Sequence, residues 1–336
     1  MFKAAVIGLG NIGMQYDFEP QRPHPSTHVF AYEMSSEFQL VCGIDGDIKK
    51  ESDFIEVSPK AKFYSTLGDA LRDGGLDDID VISICTPPSS HFDIIQSLVA
   101  ENYGNIIFCE KPIVQNDDEA RMLQELVDET GVMIIPNISR RWNTELRKVA
   151  DHIKSQTYGK LQKIHVRYTR GIYNTGAHLF DLLRMWSGNE IKRVFVLGET
   201  NTTALPEKSY SFYFEQSDGV TGFVEAMDDN QYYLFEIDLY FERGKIEMRN
   251  SGDDIIYYSV EPHHLFQGHK EFRKCYSQTG ILNDACIKNA IENINNVLNK
   301  NEEPYCLLYD AIYPLYVAIT LEKSYKSGKI EEVILS

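Results

Sequence analysis

Three glycines, Gly8, Gly10 and Gly13, follow an apolar run at the start of the chain. Their spacing lets a backbone turn tightly, approach a pyrophosphate, and pack the next helix on the strand. A phosphate there would meet the open N–H groups and the positive dipole end of that helix. Asp45 closes the apolar run 40–44. A carboxylate at this strand end accepts the adenosine ribose hydroxyls and repels a 2′-phosphate, which favours NAD over NADP. The alternative is an acidic turn in Asp45-Gly46-Asp47. Lys111, fixed by Pro112 after the run 106–109, would bring a cation into the cofactor crevice; a surface lysine beside a proline is the other reading. His178 lies on a helix predicted over 175–186, with Asn174 and Asp181 on the same face at i, i+4, i+7 spacing. Asp181 could orient the imidazole and raise its basicity, which suits a base taking a proton from an alcohol. A core histidine satisfied by its aspartate fits the same pattern.

The elements that must carry these groups alternate through the first half. Strands are expected at 4–7, 40–44, 79–85, 106–109 and 132–135, with helices at 65–72, 91–101 and 117–130, the last stopped by Gly131. This rhythm implies a parallel sheet covered on both faces, with ligands outside the carboxyl ends of its strands. Thr86, Pro87 and His91 fall at one such end, and Glu110-Lys111-Pro112 at another. The interval from Gly13 to Asp45 exceeds the usual about 20 residues. The excess at 14–27 holds Pro20, Pro23 and Pro25, so no continuous helix runs through it. A loop is expected there, partly covering the site and supplying substrate contacts. After Lys160 the pattern becomes alternating, at 161–170, 193–199, 209–215, 221–226, 232–241 and 245–248, as in antiparallel strands with one covered face. Helices at 281–299 and 310–327 and a short strand at 332–335 complete it. Arg140, Arg141 and Arg170 sit at predicted strand ends, where they could fork onto a carboxylate or phosphate or simply pair with acids.

With 336 residues the chain exceeds one ordinary core, so two domains are expected, 1–136 and 137–336. A net charge of −17 disfavours nucleic acid and anionic membrane as partners. No apolar run approaches the about 20 residues of a membrane span, and no signal-peptide pattern precedes the first strand, so a cytoplasmic protein is expected. The six cysteines lack metal-ligand spacing; Cys42, Cys85 and Cys109 lie in apolar runs and read as buried thiols. His263, His264 and His269 cluster without a cysteine or carboxylate at suitable offsets, so no metal site is expected.

The chain resembles the Gfo/Idh/MocA (glucose–fructose oxidoreductase, inositol dehydrogenase, rhizopine catabolism) oxidoreductases. The resemblance rests on Gly8-Leu9-Gly10-Asn11-Ile12-Gly13, Thr86-Pro87 with His91, and Glu110-Lys111-Pro112. It continues through Arg140-Arg141-Trp142, Gly159-Lys160-Leu161 and Asn174-Thr175-Gly176-Ala177-His178-Leu179-Phe180-Asp181. It implies an α/β fold: an N-terminal Rossmann doubly wound parallel sheet, then a substrate-binding and oligomerisation α/β domain with an open, mostly antiparallel sheet. It implies NAD as cofactor, held by Gly8, Gly10, Asn11, Ile12, Gly13, Asp45, Thr86, Pro87, His91, Glu110 and Lys111. Catalysis would fall to Lys111, holding the reacting oxygen, and His178, the general acid/base. Asn174, Asp181, Arg141 and Arg170 would orient a sugar-type substrate, within a homo-oligomer. Asn174 departs from the aspartate usual in members that oxidise sugars. It keeps a carbonyl acceptor, gains two donors and loses the charge, which leans towards a sugar acid or nucleotide sugar. A cofactor-binding regulator without turnover is the alternative.

Overall fold

The computed structural model describes residues 1–201 and 207–335. They form two compact units, Met1–Trp142 with Ala285–Ile312, and Asn143–Asp284 with Tyr313–Ser336. The sequence places a single boundary at 136; in the structure the segment 285–312 returns to the first unit. The reason lies in one helix, Cys286–Leu298. Its Ile287, Ile291 and Ile294, on one face at helical spacing, are buried in the first unit's core together with Val29, Tyr32 and Trp142.

The first unit begins with β1 (Phe2–Ile7), α1 (His28–Glu33), β2 (Phe38–Ile44), α2 (Glu51–Val57), β3 (Lys62–Tyr64) and α3 (Leu67–Arg72). It continues with β4 (Val81–Ile84), α4 (His91–Ala100), β5 (Ile106–Glu110), α5 (Asp117–Thr130) and β6 (Met133–Asn137). The strands run parallel in the order β3-β2-β1-β4-β5-β6, the doubly wound order with its switch point between β1 and β4. Val81, Ile82, Ile84, Ile107 and Phe108 are fully buried, as strands covered on both faces require. Asn116 caps α5 by accepting the Glu119 N–H at 2.9 Å, and Gly131 ends it in the left-handed region.

The proline-bearing segment is spliced out of the first helix. The His28 and Val29 N–H groups donate to Ile12 and Gly13 carbonyls at 3.2 and 3.0 Å. In an unbroken helix the donor to Ile12 would be residue 16. His28 stands there instead, so twelve residues bulge out without ending the helical ladder. Without them, Asp45 lies 20 residues beyond Gly13, the usual dinucleotide-fold interval. Asp17 holds the bulge together. Its buried carboxylate accepts the Ser26 N–H at 2.9 Å, pairs with His24 Nδ1 at 2.6 Å and accepts the Thr27 hydroxyl at 2.5 Å.

The second unit holds α6 (Thr144–Lys154), β7 (Leu161–Tyr168), α7 (Gly176–Ser187), β8 (Ile191–Asn201), β9 (Lys208–Gln216), β10 (Thr221–Ala226) and β11 (Phe235–Phe241). Then come β12 (Gly244–Arg249), β13 (Asp254–Pro262), β14 (Lys270–Thr279) and, after the helices Cys286–Leu298 (α8) and Leu308–Ser327 (α9), β15 (Glu331–Glu332). The described residues form a nine-stranded sheet, β14-β13-β12-β11-β7-β10-β9-β8-β15, antiparallel except where β10 joins β7. One face carries buried Ile164, Val166, Ile237, Leu239 and Ile246. Alternation puts Arg167, Glu236, Asp238, Lys245, Glu247 and Arg249 on the other, joined in ion pairs such as Arg167–Asp238 at 3.2 Å and Arg249–Glu247 at 3.2 Å. Among the described residues no helix is long and apolar enough to cross a membrane.

Candidate active site

The glycine turn leaves β1 into a cleft of about 760 Å³ lined by Gly8, Gly10, Asn11, Ile12, Asp45, Thr86 and Pro87, among others. Each glycine answers a different demand. Gly8 has φ +94°, and a Cβ there would stand 2.7 Å from Cys85 C and Thr86 N. A Cβ on Gly13 would stand 2.0 Å from the Gly8 carbonyl oxygen. These two are needed by the fold itself. Gly10 is different: a Cβ there meets no protein atom within 4 Å and would project into open space beside the cleft it lines. That is where the backbone of a dinucleotide fold must let a pyrophosphate approach. The residues present fit such a group.

Asp45 reaches back to this turn. Its Oδ2 accepts the Leu9 N–H at 2.7 Å and Lys50 Nζ at 2.8 Å, and its Oδ1 accepts the Asp47 N–H at 2.9 Å. Burial alone would raise this carboxyl, but the hydrogen bonds from Lys50, Asp47 and Leu9 outweigh it and hold it below the ordinary carboxylate value. Tyr16, Lys50, Ser65 and Thr66 also line the cleft and were not singled out from the sequence. Tyr16 belongs to the spliced-out segment, and the Arg22 guanidinium lies 3.5 Å from its ring centroid. The segment therefore does reach the cofactor cleft, through that ring.

His91 and Glu110 have structural partners. The buried His91 ring spans two turns, with Nε2 2.8 Å from the Thr86 carbonyl and Nδ1 2.9 Å from that of Pro112. Glu110 Oε1 meets His28 Nε2 at 3.0 Å and Asn137 Nδ2 at 2.6 Å. His28 Nδ1 meets Ser83 Oγ at 3.0 Å, Tyr32 OH meets the same oxygen at 2.9 Å, and Trp142 Nε1 donates to Asn137 Oδ1 at 2.9 Å. This buried network ties α1 to the strand end that presents Lys111, which is partly exposed. Burial pushes the Cys85 and Cys109 thiols well up, so they are inert packing groups.

Arg141 is 7% exposed and committed within its own unit, donating to the Tyr305 carbonyl at 2.8 Å and to Asp310 Oδ1 at 2.7 Å. It anchors the returning segment, which explains why an arginine is needed there without any substrate. Arg140 is partly exposed just before it.

In the second unit, the helix of His178 begins earlier than expected, as a π-turn over Gly171–Thr175 that runs into α7 and ends at left-handed Gly188. Such turns recur at functional sites. Arg170 precedes it at φ +69°, ψ +41°, a conformation that costs a non-glycine residue roughly 1–2 kcal/mol. His178 and Asn174 are partly exposed and Asp181 is buried. Glu207 carries no motif or spacing that marks it. Its Oε2 accepts the Tyr173 N–H at 2.6 Å and the Asn174 N–H at 3.3 Å, placing a carboxylate on the positive end of this helix.

The hairpin tip between β13 and β14 brings ligand atoms of His263, His264 and Glu271 within 4.8 Å of one another. His263 Nδ1 accepts the Leu265 and Phe266 N–H groups at 3.1 and 3.2 Å. In the neutral ring the proton then sits on Nε2, the nitrogen a metal would need. Glu271, which also pairs with Arg273 at 3.1 Å, supplies the carboxylate that sequence spacing did not reveal.

Fold and cleft together define a dinucleotide-binding protein of the Rossmann type, carrying a second unit built on an open mixed sheet. Residues 2–138 match the Gfo/Idh/MocA sequence profile, described as an oxidoreductase family with an NAD-binding Rossmann fold. Rhizopine catabolism protein MocA of Rhizobium meliloti is 28% identical over 181 residues, 48% of this chain and 56% of that protein. The chain thus spans about half the length of that relative. The scyllo-inositol 2-dehydrogenase (NAD(+)) of Bacillus subtilis is 28% identical over 249 residues, 68% of each chain. Among solved structures, a super-repressor mutant of Gal80p from Saccharomyces cerevisiae has the same fold, with TM-score 0.78 and 15% identity over 99% of this chain and 98% of that one.

Proposed function

We propose that the protein is an NAD-dependent oxidoreductase that moves a hydride to or from a hydroxyl or keto carbon of a carbohydrate derivative, a sugar acid or nucleotide sugar before a plain polyol. The observation that carries this reading is the open space at Gly10 beside a cleft that Asp45 also lines. The inositol dehydrogenase and MocA relatives support a polyhydroxylated substrate. When bound, the nicotinamide accepts or supplies the hydride. Lys111 holds the reacting oxygen and favours its alkoxide character. His178 takes or returns the hydroxyl proton, and Asp181 sets its ring orientation. Asn174 and Arg170 select the substrate's polar groups, the amide tolerating an anion that an aspartate would repel. The protein works as a homo-oligomer, dimer or tetramer.

Following reduced nicotinamide across a panel of sugars, sugar acids and nucleotide sugars tests the reaction. Expected is turnover on at least one, falling about 10²–10⁴-fold in His178→Ala with dinucleotide affinity kept. Undiminished turnover in that variant removes His178 from the mechanism. The full-length likeness to a Gal80p super-repressor supports one other reading, a dinucleotide-binding regulator. Dinucleotide binding with no turnover across the whole panel, together with a stable protein partner, would favour it.

A further inference from the structure

We propose that Glu207 is a positioning residue: its carboxylate fixes the π-turn ahead of α7 and so sets how Asn174 stands to His178. This rests on the oxidoreductase reading of that helix and adds to it the group that shapes it. The turn spans Gly171–Thr175, and the Gly176 N–H donates to the Gly171 carbonyl, the i→i+5 bond of a π-helix. A turn of this kind holds more residues per revolution than the α-helix that follows it. The rotation between Asn174, inside the turn, and His178, beyond it, therefore depends on the turn being kept. The local backbone does not favour it. Arg170 enters at φ +69° and Gly171 follows at φ +80°, both in the left-handed region. Something outside the helix must hold it.

The entry to β9 does so. Ser209 Oγ accepts the Gly171 N–H at 2.9 Å. Glu207 Oε2 accepts the Tyr173 N–H at 2.6 Å and the Asn174 N–H at 3.3 Å. An ordinary helix cap is local, a side chain about two or three residues before the donors it accepts. Glu207 is 34 positions from Tyr173, so the shape of this turn is imposed by tertiary structure. The contact is also fitted. A Cβ on Gly171 would stand 2.2 Å from Glu207 Cδ, so the glycine admits this side chain as well as the backbone conformation. From α9, Glu322 Oε1 accepts the Tyr173 hydroxyl at 3.0 Å and steadies the same turn. Tyr173 is 38% exposed, so water can take over its N–H when the carboxylate is removed. The fold then survives while the turn loses its fixed shape. Glu207 need not touch substrate; it acts through Asn174 and His178.

The test compares the full wild-type chain with Glu207→Ala, Glu207→Gln and Glu207→Asp. Glutamine keeps the reach and an acceptor oxygen, whereas aspartate keeps the charge and withdraws it by a methylene. In turnover with NAD and a substrate from the panel, Glu207→Ala should lower kcat about ten- to a hundredfold, as a displacement of about 1 Å does. The substrate KM should rise about three- to tenfold while that for NAD stays put, because Asn174 moves with the turn. Glu207→Gln should stay within about threefold of wild type and Glu207→Asp should resemble Glu207→Ala. Should Glu207→Ala melt early, the glutamine and aspartate variants carry the comparison. A purely structural role would shrink the active fraction, lowering kcat and leaving KM alone. That pattern, with glutamine no better than aspartate, overturns the proposal, as do wild-type kinetics in all three variants. The imidazole proton–nitrogen spectrum recorded without substrate gives a second readout, with His178 identified by its loss in His178→Ala. Its resonances should move in Glu207→Ala and Glu207→Asp and hold in Glu207→Gln; resonances that hold in all three overturn the assignment. If wild type turns over nothing on the panel, the oxidoreductase reading fails, and the imidazole shifts still decide what Glu207 does.

Discussion

His28 Nε2 lies 3.0 Å from Glu110 Oε1, joining the first residue of α1 to the residue before Lys111. The histidine is fully buried, and its other nitrogen is engaged by Ser83 at 3.0 Å. The contact couples the helix that follows the glycine turn to the strand end offered for catalysis. Removing the ring leaves Glu110 short of a partner and opens a void beside Phe108, whose ring centroid is 4.8 Å away. His28→Ala should therefore lower unfolding free energy by about 2–4 kcal/mol. Urea denaturation measures it, and a loss under about 1 kcal/mol would mean that the site relaxes and the tie is dispensable.

The three glycines predict three separable outcomes. Gly10→Ala adds a Cβ where no protein atom lies within 4 Å, so its melting temperature should match wild type while dinucleotide binding collapses. Gly13→Ala forces a Cβ towards the Gly8 carbonyl from 2.0 Å, a backbone atom that cannot yield cheaply. It should cost about 1–3 kcal/mol or more before any ligand is added. Gly8→Ala should behave likewise, with φ +94° adding strain. Thermal melts with and without NAD separate the classes, because a ligand that binds only the folded state raises its apparent stability. A destabilised Gly10→Ala would show that this position serves packing.

Legibility in the sequence followed the strength of the local physics. The strands β1, β2, β4, β5 and β6 were readable because burial on both faces makes them near-continuous Val and Ile runs. The hairpin β13–β14 was not, since β14 is exposed along most of its length and period-two burial is faint there. Helix α8 was recognised as a helix, but nothing local says that Ile287, Ile291 and Ile294 pack in the first unit's core. Of the candidate cofactor residues, Gly8 and Gly10 were readable from their spacing and Asp45 from its place at a strand end, whereas Lys50 and Tyr16 line the cleft only because the fold carries them there. Arg141 shows the converse: a buried guanidinium held by Asp310 and the Tyr305 carbonyl has the same sequence signature as a substrate clamp.

The spliced-out segment can be removed at a defined register. Deleting residues 14–25 joins Gly13 to Ser26 and leaves His28 four positions after Ile12, the spacing of an uninterrupted helical hydrogen bond. Such a variant should fold, because the His28 and Val29 donors keep the same acceptors, with a loss of about 2–5 kcal/mol for the fully buried Met14 side chain. It loses Tyr16 from the cleft lining, so dinucleotide affinity should fall by less than about tenfold, one apolar contact's worth. Turnover should fall much further if the segment contacts substrate. Circular dichroism, NAD titration and turnover on the same preparation make the comparison, and undiminished turnover would reduce the segment to a surface excursion. Asp17→Ala is the milder counterpart, releasing Ser26, Thr27 and His24 at once.

Asp45 sets an acid limit on the glycine turn. Burial alone would raise its carboxyl; hydrogen bonds from Lys50, Asp47 and Leu9 prevail and place it below its ordinary value of 3.8. A carboxyl depressed in the folded state contributes stability that is whole above the unfolded value, about 3.9, and is lost as pH falls through the folded value. Wild type should then exceed Asp45→Asn in unfolding free energy by a constant margin from pH 7 down to about 5, with the margin shrinking below about pH 4. Urea melts at four pH values give the curve. The acid loss should be smaller in Lys50→Met, because that variant gives up the hydrogen bond that lowers the carboxyl most, while the Leu9 and Asp47 donors persist. A margin that does not change with pH would mean that the carboxylate's charge contributes nothing to holding the turn, and that Asp45 acts there through its shape and its neutral hydrogen bonds.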